Sequence, residues 1–158
     1  MAEVFECEIQ ARYRDVNLGG HVDNVEAIRL IDEARIQFLR FAPLAGAEEG
    51  AAPGVLADVP NGVVELVGSQ RVDYHAEMRF APFQPFLVRI WVSRVGGSSF
   101  SVATEVRVEP GHEPALVAET ALVLWDHGSQ SSWPISEAVR RSLERYAGEP
   151  VRLRGSSA

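Results

Sequence analysis

RYRDVNLGGHVDNVEAIRLIDEARIQFLR, residues 12–40, joins a polar loop directly to a mostly apolar helix. Asp15, Asn17 and His21 fall close together in the loop, and Gly19 and Gly20 let the backbone turn sharply between them. The helix is predicted to begin at once, at Asp23 or Asn24, with Asp23 and Glu26 spaced as a capping box. The free N–H groups and positive dipole end of that helix face whatever the loop holds. An oxygen that gains negative charge during a reaction is stabilised in such a place.

Past the junction, Ile28, Ile31, Ala34, Phe38 and Phe41 keep helical spacing as far as Pro43, and Leu30, Ile36 and Leu39 widen the apolar face. A helix apolar over most of its circumference is expected to be wrapped by a sheet. Glu33 shares the narrow polar face with Arg29, Gln37 and Arg40, which points it away from the loop. Asp32 and Arg35 project nearer the apolar side, where each needs a polar partner.

Before the loop, residues 3–14 alternate loosely and read as a strand. After the helix, residues 42–62 are rich in Ala, Gly and Pro without periodicity, which fits a mobile connection, either a substrate cover or a spacer. Four β-like runs follow at 63–74, 86–95, 99–108 and 115–125. Gly96-Gly97 and Pro110-Gly111 supply hairpin-length turns between them. Val139, Leu143 and Tyr146 then mark a short helix behind Pro134 and Ser136, and VRLRGSSA reads as a frayed tail. Strands joined mostly as adjacent hairpins predict an antiparallel sheet in an α+β domain.

A chain of 158 residues fits one domain with a single sizeable core, expected over 1–150 with 151–158 as a C-terminal tail. The acidic start MAEVFECEIQ does not resemble a secretory signal, and no apolar run approaches the ~18 residues of a membrane span. A cytoplasmic location and no membrane partner are expected. A net charge of −7 without a basic stripe argues against nucleic acid. All 15 basic residues are arginine, which removes lysine Schiff-base and P-loop chemistry and leaves arginine to grip phosphate or carboxylate. The single cysteine, Cys7, reads as a packed strand position. The four histidines are too scattered for a metal site, and His75, His112 and His127 sit in turn-like, solvent-facing settings.

Tyr13, Asp15, Asn17, Gly20-His21-Val22-Asp23-Asn24 and then Asp32-Glu33-Ala34-Arg35 resemble the opening block of the hotdog-fold acyl-CoA thioesterases of the 4-hydroxybenzoyl-CoA thioesterase type, D-x-D-x-x-G-H-V-N-N followed by a helix ending in E-A-R. Val72-Asp73-Tyr74 and Arg94–Phe100 are similar to later strands of that family. The resemblance implies a five-stranded antiparallel sheet curled around the central helix, a homodimer or homotetramer with sites between subunits, and hydrolysis of an acyl-CoA or acyl-carrier-protein thioester without metal or redox cofactor. It also implies that the second acid of D-x-D acts on the thioester and that an N–H at the helix start polarises the carbonyl. These roles fall on Asn17 and the amide of Asn24, with Gly20 beside them on the substrate side.

Asn17 departs from the pattern, because a carboxamide has no useful basicity near neutral pH. Asp15 or His21 is the substitute favoured by the residues, with Asn17 orienting a water. Plant acyl-carrier-protein thioesterases show a similar D-x-N-x-H-V-N-N pattern. The catalytic set expected from sequence is therefore Asp15, Asn17 and His21. Each also has a structural reading, Asp15 as a turn-forming carboxylate beside Arg12 and His21 as a cap of the loop. Two other functions stay open at this point. One is an enoyl-thioester hydratase, since Asp15-x-Asn17 before His21 looks like the D-x-N-P-x-H-x-D segment of those enzymes. The other is a hotdog protein that binds an acyl thioester without turning it over.

Overall fold

The computed structural model describes residues 2–43 and 54–156. Strand β1 (Phe5–Ile9) leads through a single 3₁₀ turn (Tyr13–Asp15) and the polar loop to helix α1 (Asn24–Phe41). Four long strands follow: β2 (Val63–Tyr74), β3 (Phe86–Val95), β4 (Ser99–Arg107) and β5 (Leu116–Asp126). A two-residue β6 (Ser131–Ser132) and the helix α2 (Glu137–Glu144) complete the chain. The sheet runs β1-β3-β4-β5-β2, every pair antiparallel, with β6 beside β5.

Period-2 alternation decides which face of the sheet is inside. Phe86, Val88, Ile90 and Val92 of β3, Phe100, Val102 and Val106 of β4, and Leu116, Ala118, Leu122 and Leu124 of β5 are all buried in one core. Against them lies α1, about 27 Å long at 1.5 Å per residue, with Ile31, Ala34, Phe38 and Leu39 fully buried. Phe38 sits between two rings, with centroids 5.7 Å from Phe5 and 5.1 Å from Tyr146. This is the hotdog arrangement, an antiparallel sheet around a central helix, with β6 as a sixth strand beyond the five expected.

The two charged residues predicted to lean toward the apolar side find partners. Arg35 is buried and bonds Asp32 Oδ1 at 2.5 Å and Gln70 Oε1 at 3.3 Å, and Gln70 in turn accepts from Thr120. This network ties α1 to β2 and β5. The cap at the helix start is simpler than predicted. Asp23 accepts from Val25 N at 2.9 Å, but Glu26 pairs with Arg29 instead of reaching back.

The strand expected over 3–14 stops at Ile9. Arg12 and Asp15 draw the following residues into the 3₁₀ turn, a local side-chain bond competing with the sheet ladder. Cys7 is half-buried on β1, and burial, with Glu33 nearby, pushes its thiol up to about 11. His75, His112 and His127 are exposed, as expected. Of the expected connection 42–62, residues 44–53 lie outside the described residues, whereas 54–62 form turns packed on the core, with Val55 and Leu56 buried and Leu56 N bonded to Leu39 O at the end of α1. Among the described residues no helix is long and apolar enough to cross a membrane. The end of the chain differs most from expectation. Within the expected tail 151–158, of which 151–156 are described, Arg154 is hydrogen-bonded to the end of β2, and just before it Gly148 and Glu149 are bonded to β3.

Candidate active site

The polar loop is held from both ends. Asp15 is 1% exposed and receives three bonds from Arg12: from its backbone N at 2.7 Å, from Nε at 3.2 Å and from Nη2 at 2.9 Å. Burial alone would raise the carboxyl's pKa, but the side-chain and backbone bonds from Arg12 outweigh it and hold the group below the usual carboxylate range. The Asp15 carbonyl also accepts from Asp23 N at 2.9 Å, which closes the loop onto the start of α1.

Inside that closure, Asn17 Oδ1 accepts from Gly19 N at 3.0 Å and from His21 N at 3.3 Å. Its backbone exchanges bonds with His21 O and Gly20 N. Gly20 adopts φ +79°, which an L side chain rarely tolerates. Its N–H is used by the Asn17 carbonyl and its own carbonyl accepts from Phe80 N, so Gly20 shapes the turn through its backbone.

A second segment, residues 77–80, lies alongside. Val22 N donates to Met78 O at 2.7 Å, and His21 forms a bridge with Arg79. This brings Glu77 to the loop, with Oε2 3.3 Å from His21 Nε2. That separation is within ion-pair reach but off hydrogen-bond geometry. Arg79 reaches the same Glu77 oxygen at 3.3 Å. His21 has 30% of its side chain exposed, while Nε2, the nitrogen that faces Glu77, is itself buried.

Tyr74, at the end of β2, reaches the helix start. Its hydroxyl donates to Asn24 O at 2.8 Å, and burial, with Asp23 nearby, raises the phenol's pKa. Asp23 N and Val25 N are both satisfied locally, whereas the Asn24 N–H has no acceptor among the described residues. Asp15, Asn17, Gly20, His21 and Asn24 are thus gathered in one closed loop at the start of α1. Glu33, exposed farther along α1, is not part of it. Glu77 and Tyr74 are additions that sequence reasoning missed. Their only early signal was the strand end Val72-Asp73-Tyr74, which says nothing of how the next residues fold back.

A model of one protein family matches residues 11–143, most of the chain. The chain belongs to the thioesterase-like superfamily. This superfamily member resembles solved structures along nearly its whole length. The PA5185 protein of Pseudomonas aeruginosa matches at 23% identity and TM-score 0.72, over 93% of this chain and 94% of that one. A thioesterase of Thermus thermophilus, solved with coenzyme A and zinc, matches at 24% identity and TM-score 0.65, over 92% and 96%. The 1,4-dihydroxy-2-naphthoyl-CoA thioesterase of Synechocystis matches at 14% identity and TM-score 0.69, over 89% and 96%. No curated protein matches the sequence.

Proposed function

We propose that the protein hydrolyses an acyl thioester carried on coenzyme A or an acyl-carrier protein, at the loop Asp15–Asn24. The observation that carries this reading is that one closed loop, pinned by the bond from Asp23 N to Asp15 O, holds both the His21–Glu77 pair and the start of α1, where the Asn24 N–H has no acceptor among the described residues. A thioester carbonyl oxygen held by that N–H at the positive end of α1 is polarised for attack. His21 takes the proton of the attacking water, Glu77 favours the imidazolium that forms, and as the C–S bond breaks that proton passes to the departing thiolate, leaving the free acid and thiol. The solved thioesterase that carries coenzyme A supports a CoA-type substrate.

In this reading the roles within the loop divide. Asp15, committed to Arg12 and depleted of protons, holds the loop closed and does not take up a proton near neutral pH. Asn17 fixes the Gly19–His21 turn through its Oδ1, while its amide group, without an acceptor among the described residues, orients the water. Loss of the family's second acid is thereby compensated by a carboxylate from another part of the chain.

A homodimer fits the same reading. Strand β2 is an edge of the sheet, 12 residues long, with Leu66 and Val67 exposed by 45% and 51%. Long edges of this kind are normally covered. A second copy pairing along β2 covers this edge.

The reaction is tested by following free thiol released from short, aromatic and long acyl-CoAs and from an acylated carrier protein. Enzyme-dependent release from at least one of them is expected. Asn17→Asp, which restores the family's acid, should keep or raise the rate. No release from any substrate, together with tight acyl-CoA binding, would replace hydrolysis by binding alone, and loss of enoyl absorbance from crotonyl-CoA would replace it by hydration.

A further inference from the structure

The segment that follows α2 crosses the outer face of the sheet as an ordered strap. Ala147 bridges in parallel with Val92, and Gly148 N donates to Val92 O at 2.8 Å. Gly148 lies so close to Trp91 that a Cβ there would stand 2.5 Å from the indole, a close approach only glycine permits. The indole N–H then donates to Glu149 O at 2.6 Å. Farther along, Leu153 is 9% exposed. The strap ends on the far side of the sheet, against β2. Arg154 N donates to Asp73 Oδ2 at 2.6 Å, its Nη1 and Nη2 each reach Tyr74 O at 3.3 Å, and Nη2 lies 3.2 Å from His75 Nδ1. Arg71 Nη2 meets Arg154 O at 3.5 Å.

What Arg154 holds is the corner from which the loop is supported. Tyr74 reaches the Asn24 carbonyl from this corner, and three residues later Glu77 faces His21. From these contacts we propose that Arg154 is a positioning residue for the acyl site, acting through the Asp73–His75 corner on Tyr74 and Glu77. The inference rests on the proposed thioesterase reading for its catalytic consequence, but the physical coupling from Arg154 to His21 does not need it. A guanidinium that bonds one carbonyl through two nitrogens fixes the direction of that peptide plane more firmly than a point charge does. The peptide after Tyr74 is thereby set, and with it the path of residues 75–77. Small displacements of a catalytic base lower turnover while leaving substrate binding largely intact.

The test compares the full-length protein with Arg154→Ala, Arg154→Lys and Tyr74→Phe. Arg154→Ala is expected to lower kcat about tenfold with KM within about twofold, and Arg154→Lys to recover part of the loss. Tyr74→Phe should lower kcat similarly, and the double variant should fall short of the sum, because both act on one corner. The His21 ring resonances, followed by NMR at fixed pH, should move in Arg154→Ala. That readout also serves if a variant is less stable, since it is taken on folded protein. Unchanged kcat together with unmoved His21 resonances would overturn the inference. Wild-type protein that releases no thiol, yet whose His21 resonances move on substitution of Arg154, would remove the thioesterase reading and leave the coupling standing.

Discussion

Replacing His21 with alanine is expected to lower kcat for thioester hydrolysis by about 10²- to 10⁴-fold, the usual contribution of a positioned general base. The same variant should barely change stability, since the ring is partly exposed and Glu77 is 61% exposed. Glu77→Gln keeps the shape of the side chain but removes the charge that favours the imidazolium. It should cost roughly 10- to 100-fold in kcat, less than loss of the histidine itself. The double variant should resemble His21→Ala alone, because a carboxylate that acts through the ring has nothing left to act on. Thiol release under saturating substrate measures all three. If Glu77→Gln matched wild type while His21→Ala were inactive, the histidine would work without this partner. If His21→Ala retained full activity, the base would lie elsewhere.

The second large effect concerns the core. Phe38 is fully buried, with Phe5 and Tyr146 on either side of it. Truncating a buried phenylalanine removes its transfer energy and leaves a cavity, together about 3–5 kcal/mol. For a domain of this size each kcal/mol moves the melting midpoint by roughly 2–4 °C. Phe38→Ala should therefore lower Tm by about 10 °C, read by circular dichroism. A shift of only a degree or two would mean that the three rings do not pack as one unit. Substrate turnover by the folded fraction should fall much less than in His21→Ala, because Phe38 lies well along α1 from the loop.

The fold was legible because its elements carry strong periods. Ile31, Ala34 and Phe38 repeat as a helix, and Val88, Ile90 and Val92 alternate as a strand, so the pattern itself marks the buried face. The loop's own residues were also legible, since Asp15, Asn17 and His21 are neighbours in sequence and are gathered by bonds among themselves. Glu77 was not, because its approach to His21 depends on the bridge between His21 and Arg79, a tertiary contact with no local pattern. The balance of roles within the loop was equally hidden. Asp15 and His21 are equivalent candidates in the sequence, and it is the Arg12 side chain folded onto Asp15 that separates them. The strap has no signal in the sequence for a different reason. VRLRGSSA has no period and ends in small polar residues, the composition of a free tail, and what holds it is the tertiary contact of Arg154 with Asp73, Tyr74 and His75 at the end of β2.

The proposed chemistry is tested most directly by a crystal structure with a non-hydrolysable acyl-CoA analogue bound. The account predicts the analogue's carbonyl oxygen within hydrogen-bond distance of the Asn24 N–H, with His21 reaching the carbonyl carbon through one water and Glu77 behind the ring. A carbonyl lodged away from the start of α1, or facing a carboxylate other than Glu77 with His21 turned aside, would contradict it.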